Sequence, residues 1–331
     1  MKKYIIYIVG GALLLAGMIL GLCGMALAGF DTDKLNGYTP YEEKLYETDA
    51  AEIERVVLED INTRIEIVPS RDDRIHVHYF ENNKMRYTVT EKNGTLSLVK
   101  RDERRWYEHI AFFDFSVFDR PLKIEIPADV PVALSVKTTN GSVSAEDFSP
   151  EALTVSTTNG NITLQNINTR DITLKTTNGS VSLKRCRTEE HLTADSTNGS
   201  VTFSDVEAPR MTLKTSNAQI TLDSVTADGT ISVKTSNGKI TAKNVTAGED
   251  LILETSNATV SFDHIDFEGE LYCKTSNSRI EGTLPGGLSD FRYDCKTSNG
   301  SCSLPENGGS GRRSVHLKTS NADIRVSFSE E

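Results

Sequence analysis

The chain has 331 residues, 37% of them hydrophobic and 25% charged, which is the balance of a folded protein and excludes disorder as the main state. Its formal charge of -11 argues against nucleic acid as a partner, because phosphate binding needs a concentrated basic surface.

The first element is an apolar segment. After Lys2 and Lys3 no charge occurs from Tyr4 to Phe30, and as a helix this run is long enough for a bilayer core of about 30 Å. Residues 1–30 are therefore expected to be a transmembrane signal-anchor helix. Lysines before the run and Asp31 and Asp33 after it put the N-terminus in the cytoplasm and the rest outside. Two other fates are compatible with the segment: cleavage after "ALA" at Ala26 to Ala28, and lipid modification of Cys23. From Asp31 to Asp60 acids outnumber bases by 7, so residues 31–55 are expected to be an acidic linker.

Residues 56–331 are expected to form an all-β, single-stranded parallel β-solenoid, a β-helix with rungs of about 20 residues. Its first part, 56–136, carries irregular rungs such as "INTRIEIVPS" and "KNGTLSLVK". An insertion at 101–120 holds Trp106, Tyr107, Phe112, Phe113, Phe115 and Phe118 beside Arg104 and Arg105. Such a cluster either plugs the open end of a coil or docks a partner or the membrane surface.

The ten regular rungs, 137–331, repeat a phrase such as "KTTNGSV" or "KTSNGKI". Its Asn falls at Asn140, Asn159, Asn178, Asn198, Asn217, Asn237, Asn257, Asn277, Asn299 and Asn321. Apolar residues lie six and four positions before the Asn and three and five after it, and a period of two marks strands with one buried face. The Asn, followed by Gly, Ala or Ser, suits a tight corner with positive φ. Stacked rungs bring like residues into register, so the corner amides are expected to bond one another as a turn ladder. The Thr two positions before the Asn, Ser196 in one copy, is expected to bond the turn backbone.

Three positions before the Asn stands Lys in seven copies: Lys137, Lys175, Lys214, Lys234, Lys274, Lys296 and Lys318. This row is either a binding face for an anionic cell-wall polymer or a charged surface that keeps exposed strands soluble. Cys186, Cys273, Cys295 and Cys302 all fall at inward positions and are expected to behave as small apolar residues. Cys273 and Cys295 share a position in adjacent rungs, which puts their Cα atoms within disulfide reach and makes them a candidate disulfide.

No catalytic constellation, metal-ligand spacing or cofactor motif is recognisable, so the chain is read as a non-catalytic element with no cofactor. A carbohydrate-active enzyme on the same fold would instead need acids converging from neighbouring rungs, and a structural spacer would need no special surface row at all.

The Lys-initiated apolar segment, "PLKIEIPADVPV" and the serial "KTTNGSV", "STNGSV" and "KTSNGKI" rungs together resemble a bacterial β-strand-repeat family of unknown function. That family carries an adhesin label and includes the LiaG-like membrane proteins of Gram-positive envelope-stress operons. The resemblance covers roughly Val56 to the C-terminus. It implies a surface-exposed, membrane-anchored solenoid for binding, adhesion or scaffolding, bound to the lipid bilayer through its N-terminal helix, with a membrane-protein partner as an alternative to the polymer. It brings no catalytic residues.

Overall fold

In a computed structural model of the chain, residues 2–27, 29–30, 40–104 and 120–329 are described. An α-helix runs from Lys2 to Leu27, and its stretch Gly10–Leu27 is long and apolar enough to cross a membrane, with a mean hydropathy of 2.1. The aromatic residues Trp106, Tyr107, Phe112, Phe113, Phe115 and Phe118 lie outside the described residues.

The rest is a parallel β-solenoid whose rungs each give one strand to a 13-stranded sheet and one to a 14-stranded sheet. Neighbouring rungs are in register. Leu153 pairs with Ile172 and Val155 with Leu174 on one sheet, and Ile162 with Val181 and Leu164 with Leu183 on the other. The alternating apolar residues thereby stack into continuous inward columns of Leu, Ile and Val, buried to 2% exposure or less from the Asn140 rung to the Asn277 rung. Each rung buries its apolar face only against its neighbours, so the core runs the length of the coil.

The positive φ angles are not at the Asn corner. They occur seven residues after it, at Asp147, Asn166, Arg185, Asp205, Ser224, Asn244 and His264, with φ from 49° to 58°. A single left-handed residue bends the strand and shifts its parity. In Ile220–Ala227, Asp223 and Ser224 are both exposed, while Val225 and Ala227 return to the core. Each of these rungs therefore acquires a third short face, on which the residue eight after the Asn, such as Ile167, Val206, Val225 or Val245, is buried.

Both ends depart from sequence order. At the N-terminal end the strands Arg55–Glu59 and Ile65–Pro69 form a rung directly beside the Asn140 rung. The later strands Thr95–Asp102 and Leu122–Ile126 lie outside it. Antiparallel strands then cover the open edges: Met85–Lys92 on one sheet, Arg74–Glu81 and Glu42–Asp49 on the other. The stretch expected as a linker is thus partly built into the fold, since Glu42–Asp49 is a strand and Ala50–Glu52 a 3-10 turn. Its acids are tolerated because they lie on an edge strand that exposes one face to water.

At the C-terminal end Arg313–Lys318, from the tenth repeat, pairs with Glu270–Lys274 of the eighth. Phe291–Lys296, from the ninth, is stacked outside it. The rung order is therefore Asn277, Asn321, Asn299. This corrects the cysteine expectation: Leu317 lies between Cys273 and Cys295 in the register, and Cys295 is instead disulfide-bonded to Cys302 across its own corner. Cys186 and Cys273 are free and buried.

Candidate functional site

Three surface rows and two end structures place the candidate residues. The first row is the corner. Each Asn amide donates to the Asn carbonyl of the rung on its N-terminal side, at 2.5 to 2.8 Å, from Asn299 through Asn321, Asn277, Asn257, Asn237, Asn217, Asn198, Asn178, Asn159 and Asn140. The last acceptor is Asn62, in the irregular rung at the N-terminal end. All these amides point one way along the coil, and they are exposed except for the half-buried Asn62.

Beneath the ladder the Thr hydroxyls are buried and bonded. Thr157 Oγ1 donates to Gly141 O at 3.3 Å and accepts from Gly160 N at 3.1 Å. An unpaired hydroxyl there would be unfavourable by about 1 to 3 kcal/mol. Gly at this corner answers to proximity: a Cβ on Gly160 would lie 1.8 Å from Gly141 O. Backbone crowding, not a left-handed turn, keeps the side chain away.

The second row is the lysines. Register places them in the order Lys137, Ser156, Lys175, Asp195, Lys214, Lys234, Glu254, Lys274, Lys318 and Lys296, with Glu59 beside Lys137. Most of the row is interrupted by acids. Lys234 lies 2.8 Å from Glu254, an exposed pair worth a few tenths of a kcal/mol. The last three members, Lys274, Lys318 and Lys296 in spatial order, are consecutive with no acid among them; the displaced end rung changes their order, not the run itself. Like charges directly opposite each other in a sheet are unfavourable. Lys296 is relieved by Asp294 at 2.9 Å, whereas Lys274 and Lys318 have no ion pair among the described residues. Tyr272 and His316 lie in the next outward column beside them.

The third row is the bend. Here Asn166 donates to Asp147, and Arg185 Nε donates to Asn166 Oδ1 at 2.6 Å. Its residue types vary from rung to rung, so it offers no uniform surface.

At the N-terminal end a buried polar cluster holds the first corner. Asp60 stands where later rungs have Thr, and its Oδ1 accepts from the N–H groups of Ile61, Asn62 and Thr63 at 2.6, 2.9 and 2.6 Å. Tyr87 donates to its other oxygen, and Lys100 Nζ lies 3.4 Å from that oxygen while also donating to Thr63. Burial pushes the Lys100 ammonium below its usual range, with Asp60 opposing the shift, and burial drives the Tyr87 phenol well above its own. This is a structural plug, since every charge in it is directed at the turn.

At the C-terminal end a cleft of about 880 Å³ opens where the bend row stops. Its walls include Asp263, His264 and Asp266 on one side and Thr283, Pro285 and Ser329 on the other, with Arg313 at the base. No group of three His, Cys, Asp or Glu among the described residues is arranged to hold a metal ion.

The sequence signals for these end structures were weak. Asn62 was hidden by Asp60 in the Thr position, and the cleft depends on a bend that no residue type announces.

A match to the Toastrack DUF4097 family extends over residues 53–330. The chain belongs to that family. The match takes in the strands from Arg55–Glu59 to Ile324–Ser329 and leaves out the edge strand Glu42–Asp49. The function of the family is unknown. No curated protein matches the chain. Among solved structures it is similar to a candidate cell adhesion protein from Clostridium sporogenes, at 9% identity over 88% of this chain and 100% of that one, with a TM-score of 0.23. A candidate adhesin from Bacteroides fragilis is similar at 14% identity over 87% and 97%, with a TM-score of 0.39.

Proposed function

We propose that this Toastrack protein is a non-catalytic binding element of the cell envelope, anchored by its N-terminal helix, with its N-terminus cytoplasmic and its solenoid outside. The ligand class is an anionic envelope polymer carrying phosphate or carboxylate groups. The observation that carries this reading is the acid-free run Lys274, Lys318, Lys296 at the C-terminal end of an otherwise interrupted row. Rungs about 4.8 Å apart present these ammonium groups as a short, rigid positive strip. Such a strip is held in place against its own repulsion, which a purely solubilising surface does not require. The Asn ladder and the bonded Thr layer beneath it serve rigidity, because they recur at every rung whatever its outer charge.

The test is retention of the full-length protein, in detergent, on immobilised polyphosphate and polygalacturonate at low and high salt. Salt-sensitive retention that is lost in the Lys274→Glu, Lys318→Glu, Lys296→Glu triple variant supports the reading. Retention unchanged by the triple variant, or absent at low salt, overturns it in favour of a spacer.

A further inference from the structure

The lysine row has an outward neighbour on the same sheet face, two residues earlier on each strand. Register aligns Ser135, Thr154, Thr173, Thr193, Thr212 and Ser232 there, one per rung. A small hydroxyl at every rung suits a solvated strand face. The column then changes character. Ile252 follows Ser232, Tyr272 follows Ile252, and His316 and Asp294 complete it. Ile252 and Tyr272 are half-buried, so each keeps part of its side chain in water. The Tyr272 hydroxyl bonds no protein group among the described residues, so the fold makes no use of it as a donor.

The change coincides with the acid-free run of lysines. Tyr272 and Lys274 share the strand Glu270–Lys274, His316 and Lys318 the strand Arg313–Lys318, and Asp294 and Lys296 the strand Phe291–Lys296. Alternate residues of a strand share its face, so an aromatic ring with an aliphatic neighbour stands alongside the three ammonium groups. Acids lie around His316 in the same patch: Asp294 is 3.7 Å from it and 2.9 Å from Lys296, and Glu270 is 3.9 Å from it. The face thus offers cations, an apolar ring and carboxylate acceptors side by side. A bare phosphate chain can use only the cations, and the carboxylates repel it. A chain of sugar acids can use all three: its carboxylates meet the lysines, the C–H face of a sugar ring lies on Tyr272, and ring hydroxyls donate to Asp294 and Glu270. Rungs about 4.8 Å apart also set the lysines at a spacing of about one sugar ring along the coil.

We propose that the strip is a site for an acidic polysaccharide, with Tyr272 as the residue that selects sugar rings over a bare phosphate chain. This rests on the polymer reading and narrows it. Lys274, Lys318 and Lys296 supply attraction to any polyanion, whereas Tyr272, with Ile252 beside it, supplies a contact that only a ring-bearing polymer can make.

The experiment measures affinity of the full-length protein, in detergent, for polygalacturonate and for polyphosphate at matched charge concentration and equal salt. The variants are Tyr272→Ser, Tyr272→Phe, Ile252→Thr and the triple lysine reversal. Tyr272→Ser and Ile252→Thr give these rungs the small hydroxyl that earlier rungs carry at the same position. Tyr272→Ser is expected to weaken polygalacturonate binding at least about fivefold and polyphosphate binding less than about twofold. Tyr272→Phe, which keeps the ring, behaves as the wild type. Ile252→Thr weakens polygalacturonate binding in the same direction, and it decides the matter if Tyr272→Ser melts early. Equal loss of both polymers in Tyr272→Ser, no loss of either in both hydroxyl variants, or a loss in Tyr272→Phe as large as in Tyr272→Ser overturns this inference. The polymer reading survives those outcomes as long as the triple reversal releases both polymers. No binding by the wild type, or binding indifferent to the triple reversal, overturns the polymer reading and this inference together.

Discussion

Asn321 donates its side-chain amide to Asn277, 44 positions earlier in the chain, at 2.8 Å, and accepts from Asn299 instead of donating to it. This single inversion fixes the order of the final rungs, separates Cys273 from Cys295, and brings Lys318 between Lys274 and Lys296.

The cysteine pairing is directly testable. Peptide mapping without reduction is expected to recover Cys295 linked to Cys302 and Cys273 as a free thiol. Burial pushes the Cys273 thiol far up, so iodoacetamide should label it only after denaturation. A Cys273–Cys295 peptide would contradict the rung order.

The ladder makes a stability prediction. Asn237→Leu removes one donated and one accepted amide bond and should lower stability by about 1 to 2 kcal/mol. Lys234→Ala removes an exposed pair with Glu254 and should change it by about 0.5 kcal/mol or less. Thermal melts of the two variants compare the effects, and equal shifts would argue against the ladder.

The buried plug predicts strong coupling between Asp60 and Lys100. Asp60→Ala leaves Lys100 buried without its carboxylate and three turn N–H groups without an acceptor, at a cost of about 3 to 5 kcal/mol. Lys100→Met in the Asp60→Asn background should recover part of the loss. A double-mutant cycle by denaturant unfolding measures this, and additive effects would place the two residues in separate environments.

The N-terminal edge predicts a pH dependence. His76 is held by Asp72 at Nε2, 2.8 Å, and by Glu47 at Nδ1, 3.0 Å. The Asp72 hydrogen bond is the main cause that raises the imidazole above its usual range, and the same bond lowers the Asp72 carboxyl. A raised histidine stabilises fully below its unfolded value and loses this as the pH climbs through the folded one. A lowered carboxyl stabilises above its unfolded value and loses this as the pH falls. The clip is therefore strongest between the two, at mildly acidic pH. Hydrogen exchange at Glu42–Asp49, corrected for intrinsic rate, should be slower near about pH 6 than near about pH 9. His76→Gln should abolish the difference.

The solenoid was legible because its inward residues, such as Leu251 and Leu253 or Val260 and Phe262, alternate at a spacing only strands produce. The Asn phrase located every regular corner for the same reason. Rung order at the ends is not legible, because there neighbours in sequence are not neighbours in space. The wider spacing of 22 before Asn299 and Asn321 was the one trace of the displacement. The left-handed bend is not legible, because Arg185 and His264 occupy it alongside Asn and Asp, so tertiary pairing overrides residue preference there. Of the surface rows, every lysine and the acid-free run of the last three are legible in the sequence; the spatial order Lys274, Lys318, Lys296 is not.

The inverted end also bears on how the chain is completed. Phe291–Lys296 finds its parallel partner only in Arg313–Lys318, which the ribosome makes later. The coil cannot finish by simple addition; its last-made rung has to slide beneath one already synthesised. A premature stop codon shortly before Arg313 would therefore strip two rungs from the structure, not one, and leave the Glu270–Lys274 edge bare.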